Sequence, residues 1–186
     1  MTSRLNRLAV AFVATALATL GVTVANPSPA SAAMTICYNT SQAGSFAGTA
    51  NQAASIWNNA TSNLTLTANC GSNLRIYQIT GGGSYAVRTS LGNGRVYIDT
   101  QQAQQYSPLR IMTHEIGHIL GLPDNYNGNC AILMSGGSAG TSCTNPYPST
   151  TEANRVTSLF AGTRSTDRAG SEIFRDSWPS MLTTVG

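Results

Sequence analysis

The sequence predicts an α+β domain, and three observations carry that reading. Short β-prone segments separated by Gly-rich turns fill residues 64–98. Stretches with helical apolar spacing lie before and after them, and no regular βαβ alternation links the two kinds of segment. The chain has 186 residues, room for one domain with a short appendage, and its 41% hydrophobic content can fill a core. Only 9% of residues are charged, which excludes a solvated disordered chain and a nucleic-acid binder. The formal charge of +3 falls to +1 once Arg4 and Arg7 are set aside with the leader, so no basic footprint remains to attract polyanions. Every basic residue is Arg, and nothing physical explains the absence of Lys.

Arg4 and Arg7 form a positive n-region ahead of an apolar run over residues 8–24. Small residues then surround Pro27 and Pro29 and end in Ser31-Ala32-Ala33. This is the layout of a secretory signal peptide cut near Ala32 or Ala33. The run is long enough for a membrane anchor, but its small-residue end favours cleavage. The expected organisation is a signal peptide over 1–33, one domain over 34–162 and a C-terminal extension over 163–186. The product is expected to be secreted and extracellular, with no membrane or nucleic-acid partner.

Thr35-Ile36-Cys37-Tyr38 reads as a first strand. Residues 46–60 place Ala50, Ala53, Ala54 and Trp57 at helical spacing, so a helix with a buried stripe is expected. Four strands follow, over 64–67, 74–79, 85–89 and 95–98, divided by turns such as Gly81-Gly82-Gly83 and Gly92-Asn93-Gly94; they read as a meander. A second helix starts near Pro108 and runs through Leu120, where Gly121 and Pro123 end it. A Gly/Ser/Pro-rich loop over 124–149 leads to a last helix, capped by Thr150 and reaching about Phe160. The tail from Thr163 carries six charged residues, with Phe174, Trp178, Met181 and Leu182 at helical spacing. It reads as a short amphipathic segment packing back on the domain.

Cys37, Cys70, Cys130 and Cys143 lack the C-x-x-C spacing of a thiolate metal site, and in an oxidising compartment an even set points to two disulfides. Three pairings are open. The pair Cys130–Cys143 would close a local loop, leaving Cys37–Cys70 as the remainder.

His114-Glu115-Ile116-Gly117-His118 is an H-E-x-x-H motif, and its histidines are the only two in the chain. Four apart on a helix, both imidazoles can reach one cation at about 2.0–2.1 Å. Glu115 is poorly aimed for ligation but can reach a zinc-bound water as general base, the parts needed to hydrolyse a peptide bond. A catalytic zinc commonly takes three protein ligands, and with no third His the last must be a carboxylate or a Cys. Asp124 follows His118 by six residues, and a left-handed turn at Gly121 can bring it back to the metal. Met134, in Leu133-Met134-Ser135-Gly136, can form an apolar floor beneath the site. Glu152 is the competing third ligand, supplied by a downstream helix; that choice leaves Gly121 and Asp124 without a role.

His114-Glu115-x-x-His118-x-x-Gly121-x-x-Asp124 followed by a Met-containing turn resembles the metzincin metalloproteases. More narrowly it is similar to the snapalysins, small secreted neutral proteases of Streptomyces. Gln101-Gln102-x-Gln104-Gln105-Tyr106, Leu120-Gly121-Leu122-Pro123-Asp124-x-Tyr126, Leu133-Met134-Ser135-Gly136-Gly137 and Ser142-Cys143-Thr144-Asn145-Pro146-Tyr147-Pro148 extend the likeness over residues 35–162. The resemblance implies a metzincin-like fold, with a twisted mixed sheet, a long backing helix, an active-site helix and a C-terminal helix around a cleft where substrate lies along an edge strand. It implies one zinc ion held by His114, His118 and Asp124, catalysis by Glu115, a Met-turn at Met134 and a Cys130–Cys143 disulfide. It further implies a monomer acting on protein or peptide substrates, with Tyr or Phe after the scissile bond.

Four features depart from that pattern. Ser107 and Leu109 stand where the family has acidic and hydroxyl calcium ligands, and Leu109 offers no side-chain oxygen, so calcium is not expected. Cys37 and Cys70 are additional, as is the tail after Gly162. The first strand starts almost at the signal cleavage point, without the usual propeptide. Tyr126 has two readings, a phenol donating to the developing oxyanion or a ring lining a pocket. The alternative to an enzyme is a non-catalytic secreted module stabilised by zinc; the two-His set and the carboxylates argue against it, because structural sites are usually closed by four Cys or His ligands.

Overall fold

A computed structural model describes residues 33–161 and 171–175. The leader, Trp178, Met181 and Leu182 lie outside the described residues. The elements are β1 (Met34–Gln42), α1 (Ala47–Ala60), β2 (Leu64–Ala68), β3 (Leu74–Ile79), β4 (Tyr85–Ser90), β5 (Asn93–Asp99), α2 (Thr100–Gln105), α3 (Pro108–Ile119), α4 (Thr150–Ala161) and β6 (Glu172–Arg175). Short 3-10 turns lie at Gly44–Phe46, just before α1, and at Leu133–Ala139, between α3 and α4. The result is a mixed α+β fold, as the sequence predicts.

The six strands form one mixed sheet in the order β2-β1-β3-β5-β4-β6, so the meander expectation is corrected. β1 pairs in parallel with both β2 and β3, β3 in parallel with β5, and only β4–β5 is a hairpin. The registers explain how a short link can join strands on opposite sides of β1. β2 pairs with the first half of β1, ending at Tyr38↔Ala68, whereas β3 begins at Tyr38↔Leu74. The two lie end to end along β1, so residues 69–73 need only cross it and make no return. A disulfide, Cys37–Cys70, ties that crossing link to β1. The second hairpin strand then inserts between β3 and β4. The wide turn that allows it is held from below: the Asp99 carboxylate accepts from the backbone N–H of Gly81 and of Gly83, both at 2.9 Å, and also caps α2.

Alternation along the strands builds the core. Ile36, Leu64, Leu66, Leu74, Ile76, Val96 and Ile98 point to the face covered by α1 and α3, where they meet Trp57, Ile111, Met112, Ile116 and Ile119. The α1 stripe is the one expected from spacing: Ala50, Ala53, Ala54 and Trp57 are all buried. Small alanines let α1 approach α3 closely, and Trp57 Nε1 donates to the Thr113 carbonyl at 3.0 Å, fixing the register of the two helices. On the opposite face Tyr77, Tyr97 and Tyr85 stack across three strands, with ring centroids 5.0 and 4.3 Å apart.

Two further expectations change. Ser149, rather than Thr150, caps α4: its hydroxyl accepts from the Glu152 N–H at 3.3 Å while Glu152 reaches back to the Ser149 N–H at 2.7 Å, a reciprocal capping box. Of the tail, the described residues 172–175 pack back on the domain as an edge strand. β6 runs antiparallel to β4 with Phe174 opposite Ala86. No helix among the described residues is long and apolar enough to cross a membrane.

Candidate active site

α3 starts at Pro108 with Ser107 as its cap and buries ten consecutive residues, Arg110 through Ile119. Its end is decided by Gly121. The Leu122 N–H bonds to the Gly117 carbonyl and the Gly121 N–H to the His118 carbonyl, both at 3.0 Å, which is the paired closure of a Schellman motif. That closure requires a left-handed residue, and Gly121 sits at φ +98°. The chain therefore turns back beside α3, and Asp124 arrives next to the histidines.

Nε2 of His114 and Nε2 of His118 face each other 3.1 Å apart, and Asp124 Oδ1 lies 3.4 and 3.3 Å from them. Among the described residues, these three form the group of His, Cys, Asp or Glu side chains able to hold a metal, their ligand atoms all within 4.8 Å of one another. The imidazoles are fixed from behind. His114 Nδ1 meets the Leu133 carbonyl at 3.0 Å, and His118 Nδ1 meets the Leu122 carbonyl at 2.8 Å. A carbonyl only accepts, so each proton sits on Nδ1 and each Nε2 presents its lone pair to the shared point. Two imidazoles and one carboxylate with a fixed tautomer suit zinc. His114, Glu115 and His118 are fully buried, whereas the Asp124 side chain retains 24% exposure.

The turn that carries Met134 packs against α3. Met134 is buried, and its Sδ would stand 2.9 Å from a Cβ built on Gly117, so a larger residue at 117 would have to push the sulfur aside. Gly136, at φ +53°, turns its backbone against the metal group: a Cβ there would meet His114 Cε1 and Tyr126 Cε1, each at 3.2 Å. The Tyr126 ring thus borders His114 while the residue stays 44% exposed. Asn125 N–H donates to the Met134 carbonyl at 2.8 Å, joining the Asp124 loop to the turn.

Glu152 does not join the metal group. Its carboxylate accepts from the N–H of Leu133 at 3.1 Å and of Met134 at 2.8 Å, besides its cap contacts at Ser149. It braces the turn whose Leu133 carbonyl orients His114. Sequence reasoning missed this role, although Ser149-Thr150-Thr151-Glu152 spells the capping pattern. It also missed Arg110, buried in α3, whose guanidinium donates to the carbonyls of Cys130, Ile132 and Leu133 and to Ser135 Oγ. Burial lowers the Arg110 pKa, and the nearby Glu152 charge opposes that shift. The Cys130–Cys143 disulfide closes the same loop.

Comparison with known proteins fits this arrangement. Residues 33–163 match the model of the Streptomyces extracellular neutral proteinase (M7) family. The chain belongs to this family. The "Extracellular small neutral protease" of Streptomyces lividans is 46% identical over 139 residues, covering 74% of this chain and 61% of that protein. The protein of the same name from Streptomyces caespitosus is 45% identical over 129 residues, 69% of this chain and 98% of its own length. That from Streptomyces coelicolor is 44% identical over 136 residues, 72% of this chain and 62% of its own. The chain therefore spans about three fifths of the S. lividans protein's length. The family match takes in α3, the Asp124 loop, the Met134 turn and α4, and it ends before β6.

β6 is the neighbour of the site that no sequence signal announced. The Phe174 ring stacks on the His118 imidazole, centroids 4.3 Å apart and planes at 11°.

Proposed function

We propose that the chain is a secreted zinc endopeptidase with a metzincin-like arrangement, in which His114, His118 and Asp124 hold the metal and Glu115 is the general base. One observation carries the reading: three ligand atoms converge on one point, with both imidazoles held from behind by carbonyls. The relatives' names, which describe extracellular neutral proteases, support both the activity and the export. In this reading residues 1–33 are the leader, 34–162 the protease and 163–186 an extension, and the enzyme is a monomer acting on proteins or peptides.

Zinc, when bound, polarises the scissile carbonyl and acidifies water beside it. Glu115, next along the helix from His114, takes the proton of the attacking water and delivers it to the leaving amine. General-base work of this kind contributes about 10²–10⁴-fold in rate. Asp124 supplies negative charge from a loop, not the helix, so the ligand set closes only when the Gly121 turn is formed. Tyr126, bordering His114, either lines the pocket or donates to the developing oxyanion. The preference for Tyr or Phe after the scissile bond follows from the family resemblance.

The test is hydrolysis of casein and of an aromatic-containing peptide by the purified chain, beside Glu115→Ala and Asp124→Ala, with zinc measured in each. The expected result is a loss of about 10²-fold or more in Glu115→Ala with zinc retained, and a loss of zinc in Asp124→Ala. A parent that keeps zinc and cleaves nothing, even when its tail strand is loosened by substitution, is a binding module. A parent without zinc overturns the reading altogether.

A further inference from the structure

The edge of the sheet beside the metal group is already filled by the chain itself. β4 pairs with β5 on one side and with β6 on the other, through the pairs Tyr85↔Arg175, Ala86↔Phe174, Val87↔Ile173 and Arg88↔Glu172. β6 is four residues of extended polypeptide, antiparallel, lying where its Phe174 covers the imidazole of a metal-group histidine. Arg88 fastens it at one end: the guanidinium pairs with Glu172, stands over the Phe174 ring at 5.1 Å and donates to the His118 carbonyl at 3.1 Å. Arg175 stands over Tyr85 at 5.0 Å at the other end. A cleft remains between this strand and the domain, lined by Gly121, Pro123 and Arg155 opposite Ile173. His114, Glu115 and His118 are fully buried in this arrangement, though a peptide bond must reach them to be cut.

We infer that the C-terminal strand Glu172–Arg175 is an intramolecular competitor that occupies the β4 edge and covers His118, so that an extended polypeptide substrate binds only when β6 leaves. The inference rests on the protease reading for its consequence. Its physics is strand addition: backbone groups of an edge strand accept any extended chain, and pockets beside it select the side chains. A tethered strand faces that edge at an effective concentration on the order of millimolar, enough to outcompete dilute substrate. Its own attachments are weak. Ile173 is 57% exposed and the Glu172 side chain 56%, so the ion pair to Arg88 is a surface contact of small worth. An apparent substrate affinity reduced by the open fraction is the signature of such a device, and kcat is untouched once substrate is bound.

The test uses the chain with its tail intact and two variants, Phe174→Ala, which uncovers His118, and Glu172→Arg, which sets like charges at Arg88 without touching His118. Zinc content and circular dichroism establish that each is folded. Hydrolysis of a fluorogenic peptide with Phe after the scissile bond is expected to rise about tenfold in kcat/KM, through KM with kcat unchanged. An active parent whose kcat/KM neither variant raises overturns the inference and leaves the protease reading standing. The same fluorescent peptide is titrated into Glu115→Ala and into Glu115→Ala carrying Glu172→Arg, with anisotropy as readout. Tighter binding of about tenfold upholds competition by the tail even if nothing is hydrolysed, which would sink the protease reading alone. Equal affinity in the two chains overturns the inference whatever the hydrolysis shows.

Discussion

Helix α3, which carries both histidines, is gripped from two sides, and the grips differ in kind. Toward α4 and the Met134 turn, α3 meets a set of side-chain-to-backbone hydrogen bonds. Arg110 collects carbonyls of the 130–135 segment, and Glu152 pins two N–H groups and its own helix cap. Toward β6, the contact is one aromatic ring on His118, and the strand that carries it is held to β4 by an exposed ion pair. Buried polar groups that lose a partner stay desolvated and unpaired, so the first side resists opening. Groups at the second side return to water at little cost. The difference teaches that one flank of the same histidines is costly to open and the other is not.

Four experiments can break or sharpen that contrast. Glu152→Ala is expected to have the largest effect on stability, about 4 kcal/mol lower, because two buried N–H groups lose their acceptor; urea denaturation measures it. A smaller loss than that of Glu172→Ala would reverse the assignment of the two sides. Removing the loop clamp with Cys130→Ser and Cys143→Ser should cost roughly 3 kcal/mol by loop closure, read by the same method. Gly136→Ala forces an alanine into a left-handed conformation against His114 and Tyr126, for about 2 kcal/mol and weaker zinc retention, read by denaturation and chelator competition. Glu172→Ala should change stability by less than about 1 kcal/mol while raising peptide hydrolysis, checked by parallel denaturation and kinetic assays.

Much of the helix that carries the site is legible in the sequence, because its signals are local. Pro108 can open a helix, Gly121 can close one, and two histidines four apart share a face whatever the rest of the chain does. The helix preceding it is not legible: Thr100–Gln105 is a polar run with no apolar period, and it is held by the Asp99 cap and the burial of Gln102. The strands can be read from the sequence but not their partners. Alternation reports which face a residue takes, whereas the order β2-β1-β3-β5-β4-β6 depends on staggered registers along β1 that leave no mark on composition. Phe174 misleads for a similar reason. Its spacing to Trp178 and Met181 suits a helix, but the available edge of β4 makes residues 172–175 a strand. Glu152 competes as a metal ligand on sequence because a carboxylate is identified by type before its partners are known; four hydrogen bonds to Leu133, Met134 and Ser149 assign it to the scaffold instead.

The strand over His118 also fills a sheet edge on which another chain could pair. β4 without β6 is a sheet edge with a row of backbone donors and acceptors turned to solvent, the template on which chains of a kind assemble edge to edge. Exchange of β6 between two copies would satisfy that edge as well as the tail's own return. If β6 leaves the β4 edge to admit a peptide, the same edge is open to neighbouring copies, and crowding then favours exchange over cleavage.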